Sequence, residues 1–259
     1  MTDTTQFAGK TVIVTGAAGG LGRAFAEGFA ARGANIVVAD MNEAGSRETV
    51  ALAEKAGANS SSKPRAIAVT TNVTQKASTD ALMDAALAAF GSIDVVINNA
   101  AMYATITRAP FYELDPDEWD RVMAVNVKGA WLVSASAFPK MTQATGRIIN
   151  IASATVFSGS PMWMHYVASK GAMIGMTRVM AREVGKTGVT VNAIAPGFTL
   201  TEASLSIMED AETYGVSSRA IPRASKPDDM VGTAMFLASE DAGYITGQTI
   251  VVDGGKQFI

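Results

Sequence analysis

The sequence predicts an α/β fold, with a single doubly wound, Rossmann-type domain over residues 1–259. Short apolar segments alternate with longer segments of helical pattern along the whole chain, which is typical of strand–helix units. The short segments are rich in Val and Ile and are apolar at consecutive positions, as expected for parallel strands buried on both faces. Hydrophobic residues make up 48% of the chain and charged residues 17%, so there is enough apolar material for a large core.

Seven strands are predicted to form one parallel sheet that is flanked by helices. Each of them is a short apolar run that ends in Gly, Pro, Asn, Asp, Ser or a similar turn residue. They are Lys10–Gly16, Asn35–Asp40, Arg65–Val73, Ile93–Ala100, Gly146–Ser153, Gly188–Pro196 and Gln248–Gly255.

Six helices are predicted between the strands, and one of them has a strong start signal. "DPDE", Asp115–Glu118, combines an N-cap aspartate, a proline at the first helical position and a glutamate at the third. Residues 198–222 carry no strand pattern, and we expect them to form a substrate lid. The helices are about Leu21–Arg32, Glu43–Ala56, Gln75–Phe90, Pro116–Met141, His165–Lys186 and Pro227–Ser239.

The composition excludes several classes of function. A net charge of -3 argues against a nucleic-acid surface, and no segment is apolar and long enough to span a membrane. The chain has no cysteine and one histidine, so no metal site is visible and thiolate zinc sites are excluded. The N-terminus "MTDTTQFAGK" lacks the apolar core of a signal peptide. We therefore expect a soluble cytoplasmic protein that acts on a small molecule.

A glycine-rich loop follows the first predicted strand and leads into the first helix. It reads "TGAAGGLG", Thr15–Gly22. Gly16, Gly20 and Gly22 allow a sharp turn and a close approach of the backbone to a pyrophosphate. The predicted helix begins at Leu21, and the free N–H groups of its first turn would face the phosphates. The loop is predicted to bind a dinucleotide, although a glycine pattern alone is a weak signal.

Asp40 at the end of the second strand indicates which dinucleotide is bound. A carboxylate at this position can accept hydrogen bonds from both ribose hydroxyls of the adenosine and would repel a 2′-phosphate. No Lys or Arg lies in the loop before Gly20 or just after Asp40. The sequence therefore predicts NAD rather than NADP as the cofactor.

The stretch "HYVASKGAM", His165–Met173, places a tyrosine and a lysine four residues apart. On a helix Tyr166 and Lys170 then share one face. A free tyrosine, with a pKa of about 10, is a poor base at neutral pH, but a neighbouring ammonium would lower that pKa. The pair is a plausible general acid/base for alcohol–ketone chemistry.

"TGAAGGLG" together with "YVASK" resembles the short-chain dehydrogenase/reductase family, and the similarity covers essentially the whole chain. The resemblance implies four catalytic residues: Asn126, Ser153, Tyr166 and Lys170. Tyr166 would take the hydroxyl proton, Ser153 would orient the reacting oxygen and Lys170 would bind the nicotinamide ribose. Asn126, in "VNVKG", would hold a water in a proton relay.

The same resemblance implies further contacts to the cofactor. Two departures from the family pattern occur: Asn72 stands where relatives usually carry aspartate at the adenine amine, and Ala101 replaces the glycine of "NNAG". The amide oxygen of Asn72 can still accept that hydrogen bond. The implied cofactor contacts outside the glycine loop are Asp40, Asn72, Val73, Asn99, Tyr166, Lys170, Pro196, Thr199 and Thr201.

Large apolar residues are expected to flank the nicotinamide end of the site beside Ser153. They are Met102 and Tyr103 after "NNAA", Phe157 and Trp163 in the loop after Ser153, and Phe198 after the "PG" of residues 196 and 197. An apolar pocket with few polar groups suits a hydrophobic secondary alcohol or ketone. The chain is also similar to NAD-dependent bacterial secondary-alcohol dehydrogenases, including those that act on aryl alcohols. The family resemblance further implies a homotetramer, with the helices of residues 116–141 and 165–186 pairing across two-fold axes.

Two alternative functions stay open at this point. A 3-oxoacyl-carrier-protein reductase would share the four residues but would normally need NADPH and a basic patch for its acidic carrier. A dinucleotide-binding sensor without turnover would share the fold. A Ser153–His165 hydrolase lacks the G-x-S-x-G turn of that class, and we expect His165 to be a packing or substrate-rim residue.

Overall fold

The strands form one parallel sheet in the order β3-β2-β1-β4-β5-β6-β7 in the computed structural model, which describes residues 5–259 apart from the side chain of Ile207. β1 pairs with β2 on one side and with β4 on the other, so the chain reverses its direction of winding there. The predicted seven-stranded parallel sheet is thus confirmed. The strands are β1 Thr11–Thr15, β2 Asn35–Asp40, β3 Ala66–Thr70, β4 Val95–Asn98, β5 Arg147–Ile151, β6 Thr190–Pro196 and β7 Thr249–Val252.

Helices cover both faces of this sheet. The six predicted helices are present, and two short ones that the sequence pattern did not indicate occur after β5 and β6. The helices are α1 Gly20–Ala31, α2 Glu43–Gly57, α3 Lys76–Phe90, α4 Pro116–Met123, α5 Ala130–Ala137, α6 Thr155–Ser158, α7 Met164–Val184, α8 Glu202–Ile207 and α9 Asp228–Ala238.

The helix predicted over Pro116–Met141 is not uniform. Residues Ala124–Gly129, between α4 and α5, form a π-helical turn, and Phe138–Lys140 form a 3₁₀ turn. π-Helical turns inside α-helices are frequent at functional sites. This one contains Asn126, which the sequence had assigned to the catalytic set.

The strands are apolar at consecutive positions because each of their faces packs against a separate core. In β2, Ile36 and Val38 belong to the cluster beneath α1 and α9, whereas Val37 and Ala39 belong to the cluster beneath α3, α5 and α7. All four side chains are buried. This arrangement accounts for the missing hydrophobic alternation in the sequence.

The carboxyl ends of β1, β4, β5 and β6 meet at one edge of the sheet, beside the point where the strand order reverses. In open α/β sheets this edge is where ligands bind. Residues 198–222, which follow β6, lie over this edge and contain α8 and a 3₁₀ turn at Val216–Ser218 but no strand. Within residues 5–259 no helix is long and apolar enough to cross a membrane.

Candidate active site

A cavity of about 670 Å³ opens at this edge of the sheet and receives most of the residues that the sequence singled out. One end is formed by the glycine loop and the other by residues from the loops after β4, β5 and β6. The sequence-predicted residues in its wall are Gly16, Gly20, Leu21, Asp40, Asn99, Ser153, Trp163, Tyr166, Lys170, Pro196, Phe198, Thr199 and Thr201.

The glycine loop is shaped by close packing of backbone on backbone. Gly16 has a φ of +64°, and a Cβ there would lie 2.7 Å from the Cα of Ala100. A Cβ at Gly22 would lie 2.3 Å from the carbonyl oxygen of Gly16. α1 begins after Gly19, which has no side chain to cap the first N–H groups of the helix. Those groups therefore stay available to a phosphate at this end of the cavity.

Asp40 is held in place at the adenosine end of the cavity. Its Oδ2 accepts a hydrogen bond from Ala18 N at 3.1 Å, and its Oδ1 accepts one from Asn42 N at 2.9 Å. The guanidinium of Arg23 donates to the carbonyl of Ala18 and to Glu48, both at 2.7 Å. The carboxylate is thus fixed toward the glycine loop, while this arginine is already committed to protein acceptors.

Asn99 connects the ends of β1 and β4. Its Nδ2 donates to the carbonyl oxygens of Thr15 and Gly16 at 3.0 and 2.9 Å. The hydroxyl of Thr15 in turn accepts the backbone N–H groups of Asn99 and Ala100. The side chain therefore acts on the cofactor end of the site by fixing the first turn of the glycine loop.

Tyr166 and Ser153 form the reacting end of the cavity, where α7 passes over the end of β5. Their side chains are hydrogen-bonded to each other. Burial raises the pKa of Tyr166 above its ordinary value of 10.0, Tyr103 adds to this, and the hydrogen bond from Ser153 lowers it. Ser153 Oγ accepts a hydrogen bond from the hydroxyl of Thr155 at 2.9 Å, so its single proton is used toward Tyr166 and could be donated to a substrate oxygen in its place.

Lys170 lies one helical turn after Tyr166 and is 3% exposed. Its Nζ donates to the carbonyl oxygen of Ile151 at 2.7 Å and lies 5.7 Å from the centre of the Tyr166 ring. Burial lowers the pKa of Lys170 from 10.5 to about 8. The sequence predicted that this lysine lowers the pKa of the tyrosine, but in the protein alone the burial of both groups dominates, and it disfavours both charged forms.

Asn126 does not lie in the cavity wall. Its Oδ1 accepts the backbone N–H of Met102 at 2.7 Å, and its Nδ2 donates to Ser169 Oγ at 3.0 Å. Ser169 Oγ donates to the backbone carbonyl of Tyr166 at 2.7 Å. Asn126 therefore connects the loop after β4 with the helix that carries Tyr166, which makes it a positioning residue.

Besides Asn126, five sequence-predicted site residues lie outside the cavity wall: Gly22, Asn72, Val73, Met102 and Phe157. The amide oxygen of Asn72 accepts two hydrogen bonds from Thr74, at 3.0 and 2.7 Å, so the oxygen assigned to the adenine amine is already used. Val73 belongs to the core. Phe157 packs against the cluster around Met173, whereas Met102 packs against the cluster of Ile106, Val122 and Tyr166. Val73 and Phe157 are thus apolar side chains that serve the core, while Met102 lies beside the site without lining the cavity.

The substrate end has aromatic and cationic groups that the motifs did not identify. The ring of Tyr103 lies 5.6 Å from that of Tyr166 and 5.3 Å from that of Trp163. Burial raises the pKa of Tyr103 to about 12, and the charge of Arg108 opposes this shift. Tyr214, from residues 198–222, packs on Phe198 with the ring centres 4.9 Å apart. The position of Tyr103 shortly after "NNAA" indicated that it would lie at the nicotinamide end, whereas nothing in the sequence pattern indicated Arg108 or Tyr214.

His165, the one histidine of the chain, is fully buried and faces away from the cavity. Its Nε2 lies 3.3 Å from Oε2 of Glu118. That carboxylate also accepts the backbone N–H of Thr107. The start signal "DPDE" is confirmed, since Asp115 caps α4 by accepting Asp117 N and Pro116 is the first residue of the helix. Ser153 is bonded to Thr155 and Tyr166 instead of to His165, and the arrangement of a serine hydrolase is absent.

Comparisons with known proteins agree with this geometry. The family model described as enoyl-(acyl carrier protein) reductase matches residues 16–257. The chain is 36% identical to a short-chain dehydrogenase/reductase of Aspergillus oryzae, over 97% of this chain and 96% of the relative. It is also 36% identical to a 3-oxoacyl-[acyl-carrier-protein] reductase of Staphylococcus aureus, over 95% and 97%. A crystal structure of a glucose/ribitol dehydrogenase of Brucella melitensis superimposes with a TM-score of 0.89 at 29% identity, covering 98% of this chain and 99% of that one.

Proposed function

The chain belongs to the short-chain dehydrogenase/reductase family, oxidoreductases of CH–OH groups with a nicotinamide cofactor, and we propose that it transfers a hydride between NAD(H) and a secondary alcohol or ketone. One observation carries this proposal. The buried set of Ser153, Tyr166 and Lys170 shares a single cavity with the glycine loop and Asp40. A protein that only sensed the dinucleotide would have no need of this set.

Tyr166 acts as the general acid/base in this proposal. A bound oxidised nicotinamide supplies the hydride acceptor and a positive charge at this end of the cavity. Ser153 donates a hydrogen bond to the reacting oxygen, and Tyr166 takes the hydroxyl proton as the ketone forms. Lys170, held by the carbonyl of Ile151, would bind the nicotinamide ribose and, when protonated, would favour the phenolate of Tyr166.

NAD is favoured over NADP by the charge at the adenosine end. Asp40 keeps lone pairs that can accept ribose hydroxyls, and a 2′-phosphate there would meet a like charge. The nearby Arg23 is engaged with Ala18 and Glu48 and so offers no ready partner to that phosphate. The glycine loop fits a pyrophosphate because the first N–H groups of α1 have no side-chain cap, while the close packing at Gly16 and Gly22 fixes the turn that leads into that helix.

An apolar or aromatic substrate is favoured by the walls of the other end. Tyr103, Trp163, Phe198 and Tyr214 supply aromatic surface around the reacting pair. Residues 198–222, which carry Phe198 and Tyr214, would act as the lid over a bound substrate. Such a pocket suits a secondary alcohol or ketone with an aromatic or bulky apolar body.

A second candidate, a 3-oxoacyl-carrier-protein reductase, is favoured by the similarity to the staphylococcal enzyme of that name. This activity would appear as turnover of an acetoacetyl thioester with NADPH. Asp40 argues against it, because it disfavours the 2′-phosphate of that cofactor. The net charge of -3 argues in the same direction, since an acidic carrier calls for a basic docking surface.

A homotetramer in the cytoplasm is the state that we propose for the working enzyme. Trp131 on α5 and Val179 on α7 are 53% and 56% exposed, and they lie on the two helical segments that the family resemblance pairs across two-fold axes. Tyr244 and Phe258, near β7, are also exposed. The absence of cysteine fits a reducing compartment. Sedimentation velocity would measure the mass of the particle.

The proposed activity is tested by initial rates of NADH appearance with NAD and a panel of secondary alcohols, for the wild type and Tyr166→Phe. We expect turnover by the wild type, a loss of at least about 10³-fold in the folded variant, and much weaker activity with NADP. Folding of the variant is checked by its unfolding temperature. Equal rates for the two proteins would overturn the role of Tyr166, and equal use of NAD and NADP would overturn the cofactor assignment.

A further inference from the structure

Arg108 is an exposed residue at the rim of the active-site cavity, and within residues 5–259 it has no carboxylate partner. Its guanidinium lies 4.4 Å from the centre of the Trp163 ring, whose own centre lies 5.4 Å from that of Tyr166. The Arg108 guanidinium therefore lies, at most, the sum of these two distances from the centre of the Tyr166 ring. Within residues 5–259 the guanidinium makes no side-chain hydrogen bond or ion pair, so all of its N–H donors are available to a ligand.

The backbone on either side of Arg108 is fastened. Thr107 donates its backbone N–H to both oxygens of Glu118, at 3.2 and 3.1 Å, and Glu118 also contacts the buried His165. On the other side, Ala109 N donates to the carbonyl of Met162 at 3.1 Å. Thr107, which precedes Arg108, is thus tied to α4 and, through Glu118, to α7. Ala109, which follows Arg108, is tied to the segment that precedes Trp163. This gives the His165–Glu118 pair a role: it positions the loop that presents the arginine.

Charges of opposite sign lie at opposite ends of the cavity. Asp40 and Glu202 lie beside the glycine loop, where Glu202 Oε2 would be 3.1 Å from a Cβ on Gly19. Near the substrate end, both oxygens of the Asp253 carboxylate accept backbone N–H groups of its own turn, which holds the carboxylate toward that turn. Arg219 donates to the carbonyls of Phe198 and Arg223. Arg108 therefore faces the substrate end with its charge uncompensated.

We propose that Arg108 binds a carboxylate of the substrate, so that the enzyme acts on a hydroxy acid or keto acid with an aromatic or apolar body between the two groups. This inference rests on the proposed function, because it specifies the substrate of the same site. A planar guanidinium can hold a carboxylate through two parallel hydrogen bonds, and its stacking on Trp163 fixes the plane of the fork. The substrate body would then lie against Tyr103 and Trp163, with its reacting oxygen at Ser153.

Binding of a carboxylate compound is tested first, by a measurement that does not depend on turnover. The wild type saturated with NAD⁺ is titrated by calorimetry with 4-acetylbenzoate and with 4-acetylbenzamide, which have the same shape and differ in charge. We expect the carboxylate to bind at least about tenfold more tightly and Arg108→Gln to remove this preference. Equal affinity of the two compounds for the wild type, or binding of neither, would overturn the proposal.

Three further variants show whether the effect belongs to this guanidinium. Arg121→Gln removes the same charge from the exposed face of α4, outside the cavity, and should keep the preference for the carboxylate. Arg108→Lys keeps the charge without the fork and should retain only part of it. Lys256 also lies in the cavity wall. Loss of the preference in Lys256→Gln, with no loss in Arg108→Gln, would overturn the assignment to Arg108.

Reduction of the same two ketones with NADH separates this inference from the proposed function. The ratio of their kcat/KM values should favour the acid by at least about tenfold in the wild type and should fall in Arg108→Gln. Reduction of both ketones at equal efficiency would contradict the carboxylate site and leave the dehydrogenase intact. Selective binding of the acid without any reduction of it would support the site and count against the dehydrogenase.

Discussion

The two ends of the cavity are built in different ways. The cofactor end is made of backbone: Gly16 and Gly22 pack against other main-chain atoms, and Asn99 fixes the turn between them. The substrate end is made of side chains from three loops, with Tyr103 and Arg108 as its distinguishing groups. A backbone cradle tolerates few residue types and therefore leaves a motif in the sequence, whereas a wall of side chains can be assembled in many ways.

This difference also divides the chemistry. In the proposed function the glycine loop would recognise the pyrophosphate that dinucleotides share, while Asp40 would discriminate between NAD and NADP; this end also carries Glu202. The substrate end determines which alcohol or ketone is taken, and there the uncompensated charge is positive. Ser153 and Tyr166 lie between the two, where the reacting carbon of the substrate must meet the nicotinamide.

The largest effect is expected at the boundary between the two ends, from Ser153→Ala. The variant loses the hydrogen bond to the reacting oxygen, and kcat/KM should fall about 10²- to 10³-fold. The hydrogen bond from Ser153 also lowers the pKa of Tyr166, so its loss raises that pKa further. Alcohol oxidation needs the deprotonated tyrosine, and the rise of rate with pH should therefore move to higher pH. A pH–rate profile checks both effects, and an unmoved profile would contradict this role.

At the cofactor end, Asp40→Asn should weaken the discrimination between the two dinucleotides. The amide keeps the shape of the side chain but no longer repels a 2′-phosphate, so the preference for NAD over NADP should fall at least about tenfold. The measurement is kcat/KM for each cofactor. Asp117→Asn, on the exposed face of α4, is the matched control and should leave the ratio unchanged. An unaltered ratio in Asp40→Asn would show that selectivity lies elsewhere.

Lys170→Met should stabilise the fold at neutral pH. The pKa of Lys170 is about 8 in the folded protein against an ordinary value of 10.5, so below pH 8 the fold must bury an ammonium. Stability of the wild type should rise between pH 8 and 10.5, where the unfolded chain binds the extra proton. The variant should gain about 1–3 kcal/mol at pH 7 and less at pH 10.

Urea unfolding of the wild type and Lys170→Met at the two pH values measures this gain. Lys186→Met removes the charge of an exposed lysine just after α7 and is the control for the loss of a lysine charge. A difference between wild type and variant that is the same at pH 7 and pH 10 would contradict the buried ammonium. A destabilised variant at pH 7 would show that the hydrogen bond to Ile151 outweighs the cost of burial.

The smallest effect is expected from Glu202→Gln, at the entrance to the glycine loop. Its carboxylate lies near Gly19 and 3.9 Å from Arg23, and is 76% exposed, so solvent screens most of its charge. Removal of the charge should tighten NADH binding about twofold at low salt, with little change at high salt. NADH fluorescence measures the affinity, with Glu209→Gln as the control on the same segment. Weaker binding by Glu202→Gln would mean that the carboxylate assists the cofactor.

Much of the fold was predictable because buried parallel strands and their turns follow simple periodic rules. The strand order and the interruption of the helix around Asn126 could not be predicted. The interruption was hidden because a π-helical turn leaves no periodic pattern in the sequence. At the site, Tyr166, Lys170 and Ser153 came from a motif with fixed spacing. Phe157 was misplaced as a cavity residue because apolar side chains serve the core and a pocket equally well. Arg108 was missed because it lies in an irregular loop, where no periodic pattern in the sequence indicates which way a side chain points.

Transfer of deuterium from the cofactor tests the central claim most directly. The wild type is incubated with NADH that carries deuterium at both C4 positions and with a panel of ketones that includes 4-acetylbenzoate and acetophenone, and the products are analysed by mass spectrometry. The account predicts an alcohol with one deuterium on its carbinol carbon, which is absent when Tyr166→Phe is used. Tight binding of the labelled NADH without deuterium in any product would contradict hydride transfer at this site.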